Sequence, residues 1–509
     1  MELNKTETVI PSIKKLFETS CEQSIDTDFT LPDYYPEVTK VLKCITDANI
    51  LSSQCSESGL SIGGQVVLTL LYAGGDDQPN SFTHVFPFTK LLDTKGVTSG
   101  AVSVIPRIGY LNTKAVGPRK VEVHGSLALS VTVSGIDGCS VLSSADGEGI
   151  YTKTAQQSLV TPMETVCKSA FIEDEIQIPQ SKPTVGKILR SCGKATVNEC
   201  KYISGKIVVK GDVDISILYC PAQPGRPLLI TERRGFSQII DCESDSENMA
   251  FDAFARVDSL ELHPKTALDG DVRNIAFEVK IGLEVMPYCT ETKSFITDAF
   301  SGKYTADISM ARFNAENVAD SINENYVCKK KIEFGTGALN DIFDLWSNVT
   351  VDHATDEGGD ILIKGAVVIS ILGTDSESVP VYFERPVEYE YRYNVGQSAP
   401  SFRCRPEVSV VAVNYSLDSN GGVDVSVELN IKATVFAVNT VTAVSEIKVD
   451  SDNMLPRDND TAVILYYPEN ETVWNIARKY RTSPEKICEA NGLESSEEVC
   501  QKILLIPNV

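Results

Sequence analysis

GQVVLTLLY at residues 64–72, GDVDISILY at 211–219 and GAVVISILG at 365–373 are three versions of one strand. Each opens with glycine and then sets apolar residues at alternate positions, the pattern of a strand with a buried face. Gly64, Gly211 and Gly365 stand 147 and 154 residues apart. A second strand follows in each copy: VEVHGSLALSVTV from Val121, IAFEVKIGLEVMP from Ile275 and VDVSVELNIKATVF from Val423, spaced by 154 and 148 residues. Two independent landmarks with nearly one period define a threefold internal repeat.

The period is too long for a solenoid unit, so each copy is expected to be a domain. Alternating strands rich in Val, Ile and Thr favour antiparallel β-sandwiches. The expected division is 1–160, 161–310 and 311–450. A third landmark, PDYYPEVTKVLKC (residues 32–44) and PQSKPTVGKILRSC (179–192), links the first two copies, and GALNDIFDLW (337–346) takes its place in the third. It is expected to be a short helix or an irregular crossing segment. Residues 451–460, within the polar, acidic DSDNMLPRDND, read as a linker.

After the linker the pattern changes. Val473, Ile476, Ala477 and Tyr480 make one apolar helix face, and Arg478, Lys479 and Arg481 suit its C-terminal end. Ser483-Pro484-Glu485 starts a second helix, and Asn491-Gly492 ends it. AVILYY (462–467) and KILLIP (502–507) flank the pair as strand candidates, so residues 461–509 read as strand, helix, helix, strand.

Composition narrows function. The 509 residues carry a net charge of −24, which argues against nucleic acid and against adhesion to anionic lipid. Lys329-Lys330-Lys331 reads as solvated surface. No apolar run approaches a membrane span, and MELNKTETVIPSIKKLFETS lacks the apolar centre of a signal peptide, so retention in the cytoplasm is expected. The fourteen cysteines are scattered without a C-x-x-C pair and read as free thiols. GKILRSCGKAT (186–196) has the wrong glycine spacing for a phosphate loop, with Ala195 where Ser or Thr belongs. EFGTGALNDIF (333–343) lacks the third glycine of a dinucleotide loop and reads as a tight turn. His84, His124, His263 and His353 show no metal-ligand spacing. No catalytic residue, metal site or cofactor is expected, although a hydrolase without a recognisable motif stays open as a third reading.

The C-terminal segment resembles a LysM domain, on Thr472-Val473-Trp474-Asn475-Ile476-Ala477, Tyr480, Ala490-Asn491-Gly492-Leu493, Gln501-Lys502 and Leu505-Ile506-Pro507. The resemblance implies a shallow groove for N-acetylglucosamine-containing glycans, between the loop before the first helix and the loop after the second. Two departures bear on that groove: Asn470 replaces a usual glycine, and Val499-Cys500 replaces a usual Pro-Gly. Three β-domains followed by a LysM domain resemble the SipL-type spore morphogenetic proteins of Clostridia, whose repeat is the SPOCS domain. That resemblance implies a scaffold of spore coat and envelope assembly, in the mother-cell cytoplasm at the forespore surface. The implied partner is a SpoIVA-like morphogenetic ATPase, with other coat proteins or self-association as further options. On this reading Asn470, Glu471, Thr472, Trp474, Asn491 and Leu493 form the docking patch. Trp474 has two readings, a core anchor or a partner hot spot. The alternative function is binding of peptidoglycan or N-acetylglucosamine through the same residues.

Overall fold

The computed structural model describes residues 3–507 apart from 76–77, 243–247, 269, 334–338, 418–421, 457–462, 498 and 501. It is mainly β, 77% strand and 3% helix, and its sheets are antiparallel, as the alternating pattern requires. The first unit holds β1 (Asn4–Thr30), β2 (Lys40–Ser56), β3 (Gly59–Ala73), β4 (Pro79–Leu92), β5 (Ala101–Ala115) and β6 (Lys120–Asp146). Its sheets run β1-β6-β5 and β2-β3-β4. The second unit holds β7 (Ile150–Pro162), β8 (Val166–Gln177), β9 (Val185–Ile203), β10 (Lys206–Pro221), β11 (Leu228–Asp241), β12 (Met249–Thr266) and β13 (Val272–Ser301). Here β13 pairs with β12 on one side and with β7 and β8 on the other, over a sheet β11-β10-β9. The third unit holds β14 (Tyr304–Ile332), β15 (Asp341–Glu357), β16 (Asp360–Thr374), β17 (Pro380–Asn394), β18 (Ser401–Cys404), β19 (Glu407–Leu417) and β20 (Val423–Met454). Its sheets are β14-β20 with β18 and β19 on the far edge, and β15-β16-β17. Each pair of sheets closes over its own core.

Two expectations change. Pairing puts the turns between units at residues 147–149 and 302–303, because β7 pairs with β13 and β14 with β20. The repeated landmarks lie in central strands and do not report where the outermost strand begins. The segment expected as a helix or crossing forms no helix: it is irregular over residues 32–39 and 179–184, and its second part is the start of a long strand, β2 or β9, as residues from Asp341 are of β15 in the third unit. The prolines before it form a separate lock. Tyr72 donates to the Pro36 carbonyl at 3.2 Å, and Tyr219 to the Pro183 carbonyl at 3.0 Å. Arg119 donates to the Pro32 and Tyr35 carbonyls, and Arg273 to those of Pro179 and Lys182. The third unit has Gly373 in place of this tyrosine and lacks the prolines as well. The Gly-x-Gly stretch at 334–338 lies outside the described residues.

The repeated glycine has a steric cause. Gly64, Gly211 and Gly365 each sit directly opposite an aromatic residue on the next strand: Phe88, Phe236 and Tyr389. That ring lies where a Cβ would stand, and the backbone carbonyl of Asn49, Thr196 or Thr350 closes the other side. A bulge in the facing strand follows Ile50, lies between Lys210 and Gly211 across the β9 pairing, or follows Val351. Glycine, ring and bulge together bend the central strand.

The three units close into a ring. β4 contacts β9, β11 contacts β15, and β17 contacts β2, so the fourth sandwich strand of each unit meets the second of the next. This is a heterologous contact that closes after three copies. At one end of the axis Leu71, Leu218 and Leu372, one equivalent residue from each unit, share a cluster with Leu189 and Cys220. The residues opposite these leucines are Lys43, Arg190 and Asp344. Arg190 pairs with Asp344 at 2.6 Å, both buried, and stacks on Trp346 at 4.3 Å. Lys43 pairs with Glu384 at 2.8 Å. At the other end the long first and last strands of each unit leave their sandwich as a two-stranded ribbon. The ribbons pack through Ile10, Val141, Leu159, Phe295, Phe313, Ala315 and Ala443, and then through Leu142, Ile296 and Val444.

Other sequence readings resolve on this frame. GKILRSCGKAT lies inside β9, a strand bulged at Gly186 and Leu189, and its Lys194 donates to the Val410 carbonyl at 2.8 Å. Lys329, Lys330 and Lys331 are exposed. Cys21, Cys44, Cys55, Cys139, Cys167, Cys192, Cys200, Cys242, Cys328 and Cys404 are free thiols. Burial pushes the Cys44 and Cys404 thiols up to about 11 and that of Cys200 to about 12, which keeps them protonated and unreactive at neutral pH. Gly211→Ala is expected to cost about 1–3 kcal/mol of stability through overpacking against Phe236. Phe236→Leu in the same chain should return part of that loss in a urea titration.

Candidate functional site

The C-terminal domain is built from β21 (Val463–Tyr466), β22 (Glu471–Thr472), α1 (Val473–Tyr480), α2 (Pro484–Asn491), β23 (Val499–Cys500) and β24 (Leu504–Pro507). Helix α1 begins where Thr472 Oγ1 accepts from Asn475 N at 3.3 Å. Ser483 caps α2 in the same way, and Gly492 ends it in the left-handed region. Val473, Ile476, Ala477, Ile487, Leu504 and Ile506 form the small core. β21 pairs with β24, and β22 with β23.

Each residue expected in the docking patch has a structural assignment. Asn470 is exposed with φ +58°, a conformation that glycine or asparagine tolerates, which accounts for asparagine at a position where LysM sequences favour glycine. Glu471 accepts from the Tyr466 hydroxyl, which also accepts from Lys479 at 2.8 Å. Thr472 is the N-cap of α1. Asn491 bridges α2 and β24: its amide accepts from Leu505 N at 2.7 Å and donates to the Leu505 carbonyl at 2.6 Å. It thereby occupies the backbone edge of β24 as a neighbouring strand would. Leu493 packs on the core, and its N–H bonds to the Cys488 carbonyl at 3.0 Å. The two loops that would border a glycan groove pair with each other. Glu471 and Thr472 face Cys500 and Val499 in register, and Trp474 N bonds to the Ser496 carbonyl at 2.9 Å.

Trp474 anchors the domain to the second β-unit rather than lining an open patch. It is 4% exposed. Its indole Nε1 donates to Asp298 Oδ2 at 2.8 Å, and its ring meets Phe300 edge-on at 5.0 Å. Arg478, one turn later, pairs with the same Asp298 and donates to the Ala299 carbonyl. Tyr151 packs on Phe300, and Lys153 pairs with Glu497 at 2.6 Å. The core-anchor reading of Trp474 therefore needs a second partner, the tip of the β7–β13 ribbon. Sequence reasoning missed Asp298 and Phe300, although the repeat held a signal. By the period of the last strands, Phe300 corresponds to Asp146 and Lys448, and Asp298 to Ser144 and Glu446. Only the second unit departs from its copies with an aromatic seat.

The four histidines lie on different strands, and no group of side chains among the described residues is arranged to hold a metal. No helix among them is long and apolar enough to cross a membrane. Asp298→Ala should free Trp474 from its seat. In a Trp346→Phe background, tryptophan emission is expected to shift to the red while the far-ultraviolet circular dichroism stays unchanged. Unshifted emission would remove Asp298 from the anchor.

Residues 37–116 and 184–265 match the family model of the SipL SPOCS domain, and residues 469–499 match that of the LysM domain. The SPOCS matches begin just before β2 and just before β9 and take in the second to fifth sandwich strands of the first and second units. No curated protein and no solved structure matches the chain. Two SPOCS domains of the SipL type and a C-terminal LysM domain, non-catalytic domain types, thus stand in one chain, and the SipL type points to sporulation.

Proposed function

We propose that this chain is a non-enzymatic scaffold of spore coat and envelope assembly. Its third β-unit is a further SPOCS domain, and its LysM domain docks a SpoIVA-like morphogenetic ATPase in the mother-cell cytoplasm. One observation carries the reading: three β-units of one strand order close on each other and offer a seat for a single LysM domain. A closed ring with one appended domain suits the holding of a partner in a fixed orientation. The net charge of −24 favours a protein partner over nucleic acid or an anionic membrane.

The LysM match itself supports a second reading, binding of peptidoglycan or N-acetylglucosamine oligomers. Against it stands the pairing of β22 with β23, which engages backbone of both loops at the expected groove. The test has two arms. The full chain is expected to capture the ATPase from sporulating cells, and a chain without residues 461–509 to lose it, while neither sediments with purified peptidoglycan. Peptidoglycan binding that Thr472→Ala abolishes, together with undiminished ATPase capture by the shortened chain, would reverse the order of the two readings.

A further inference from the structure

The seam between the first and second units holds a cleft of about 710 Å³, within the size range of small-ligand sites. Its floor is the outer face of β12, β13 and β8. Arg256, Gly282 and Ser169 lie opposite one another across these strands, and so do Phe254, Glu284 and Cys167. The first unit supplies the facing wall from β2 and β5, where Leu51 and Ile105 are each 46% exposed. Arg405 reaches in from the third unit. It donates to both oxygens of Glu284, at 2.6 and 3.0 Å, and stacks on Phe254 at 4.2 Å.

Four cations and two carboxylates line this cleft. Arg256 donates to Asp258 Oδ1 at 2.9 Å and to the Val104 carbonyl of the first unit at 3.3 Å, so it is tied across the seam. Arg405 is matched by Glu284. Lys280, half-buried, and Lys168, exposed, have no hydrogen bond or ion pair among the described residues. Asp258 is 6% exposed, and its carboxylate stands where a side chain at Gly282 would begin. Its Oδ2 accepts no hydrogen bond among the described residues, an uncommon condition for a buried carboxylate. The cleft thus combines cations without counter-ions, an acceptor without a donor and an apolar wall. The equivalent cleft between the second and third units, about 450 Å³, sets Glu199, Asp252 and Glu407 against Arg405 and Lys432. The excess of positive charge belongs to the first seam and not to the second, in a chain whose net charge is −24.

We propose that the first-seam cleft binds a small organic anion with an apolar body and a hydroxyl group. Lys280 meets the acidic head, and Lys168 adds positive charge at the rim. The apolar body lies on Leu51, Ile105 and Phe254, and the hydroxyl donates to Asp258 Oδ2. Apolar walls lower the local dielectric, so a charge pair here gains more than one on open surface. A ligand in this cleft touches the first and second units and lies beside Arg405 of the third. It therefore binds the closed ring and stabilises it by mass action. The inference goes beyond partner docking and stands apart from it.

The test titrates the full-length protein with hydroxynaphthoate, naphthol and acetate. Hydroxynaphthoate carries the head, the body and the hydroxyl; naphthol lacks the head, and acetate lacks the body. Hydroxynaphthoate is expected to bind wild type and to lose roughly tenfold in Lys280→Gln, a change of about 1.4 kcal/mol. Lys329→Gln removes the same charge from an exposed site on β14 and should bind as wild type does. Lys280 makes no bond in the fold, so Lys280→Gln is expected to melt with wild type when no probe is present. Bound hydroxynaphthoate should raise the melting temperature. It should also slow alkylation of Cys167 at mildly alkaline pH, with Cys192, another exposed thiol, as the internal reference. Naphthol and acetate should do neither at the same concentration. No binding of hydroxynaphthoate, equal binding by wild type and Lys280→Gln, equal binding of naphthol or acetate, or binding that leaves Cys167 unprotected overturns the proposal.

Discussion

Leu71, Leu218 and Leu372 occupy the same position in the central strand of three sheets, on the face turned away from each sandwich core. An outward leucine on an isolated β-sandwich is wet. Here each is fully or almost fully buried, because the other two units cover it. Removing three such side chains from water contributes about 1.5–3 kcal/mol apiece. The ring arrangement follows from that requirement: the units meet head to tail through β4 and β9, β11 and β15, β17 and β2, and the contact closes after three copies. The polar partners make the closure specific. The residues opposite the leucines are Lys43, Arg190 and Asp344, so the equivalent positions carry two cations and one anion. Arg190 has one buried carboxylate to meet, and a unit placed out of order would leave a charge buried without a partner.

The opposite end of the axis has a different task. There each unit sends out a ribbon formed by its first and last strands, and the three ribbons bury Val141, Phe295, Phe313 and Ala443 against one another. The LysM domain does not join this cluster. It sits at the tip of the second ribbon, where Phe300 and Tyr151 stand in place of polar residues of the other copies, beside Asp298. Pseudo-symmetry builds the frame, and a local break in it selects one of three otherwise similar sites. Arg478 and Trp474 share Asp298, so the seat combines an ion pair, an indole hydrogen bond and aromatic contact.

Much of this was legible in the sequence. The glycine-led strands gave the period because Phe88, Phe236 and Tyr389 each require a residue without Cβ opposite them. The helices of the LysM domain were legible because their caps are local: Ser483, Pro484 and Gly492 act within a turn. The course of β2 and β9 was hidden by the prolines before them, whose part is to be held by Tyr72 and Tyr219. The contacts between units left no local mark, since Leu71 and Leu218 look like any strand leucine until a neighbour covers them. For the LysM residues, spacing identified the fold but left their structural partners out of sight. Asn491 closes a strand edge and Trp474 faces a β-unit, and both partners are set by tertiary packing.

Hydrogen exchange of the full chain carrying Leu218→Ala tests the shared closure most directly. The side chain belongs to the second unit, but its cavity would open onto all three. The account predicts faster amide exchange in β3 around Leu71 and in β16 around Leu372, together with β10. A change confined to β9, β10 and β11, with β3 and β16 as protected as in wild type, would contradict the ring.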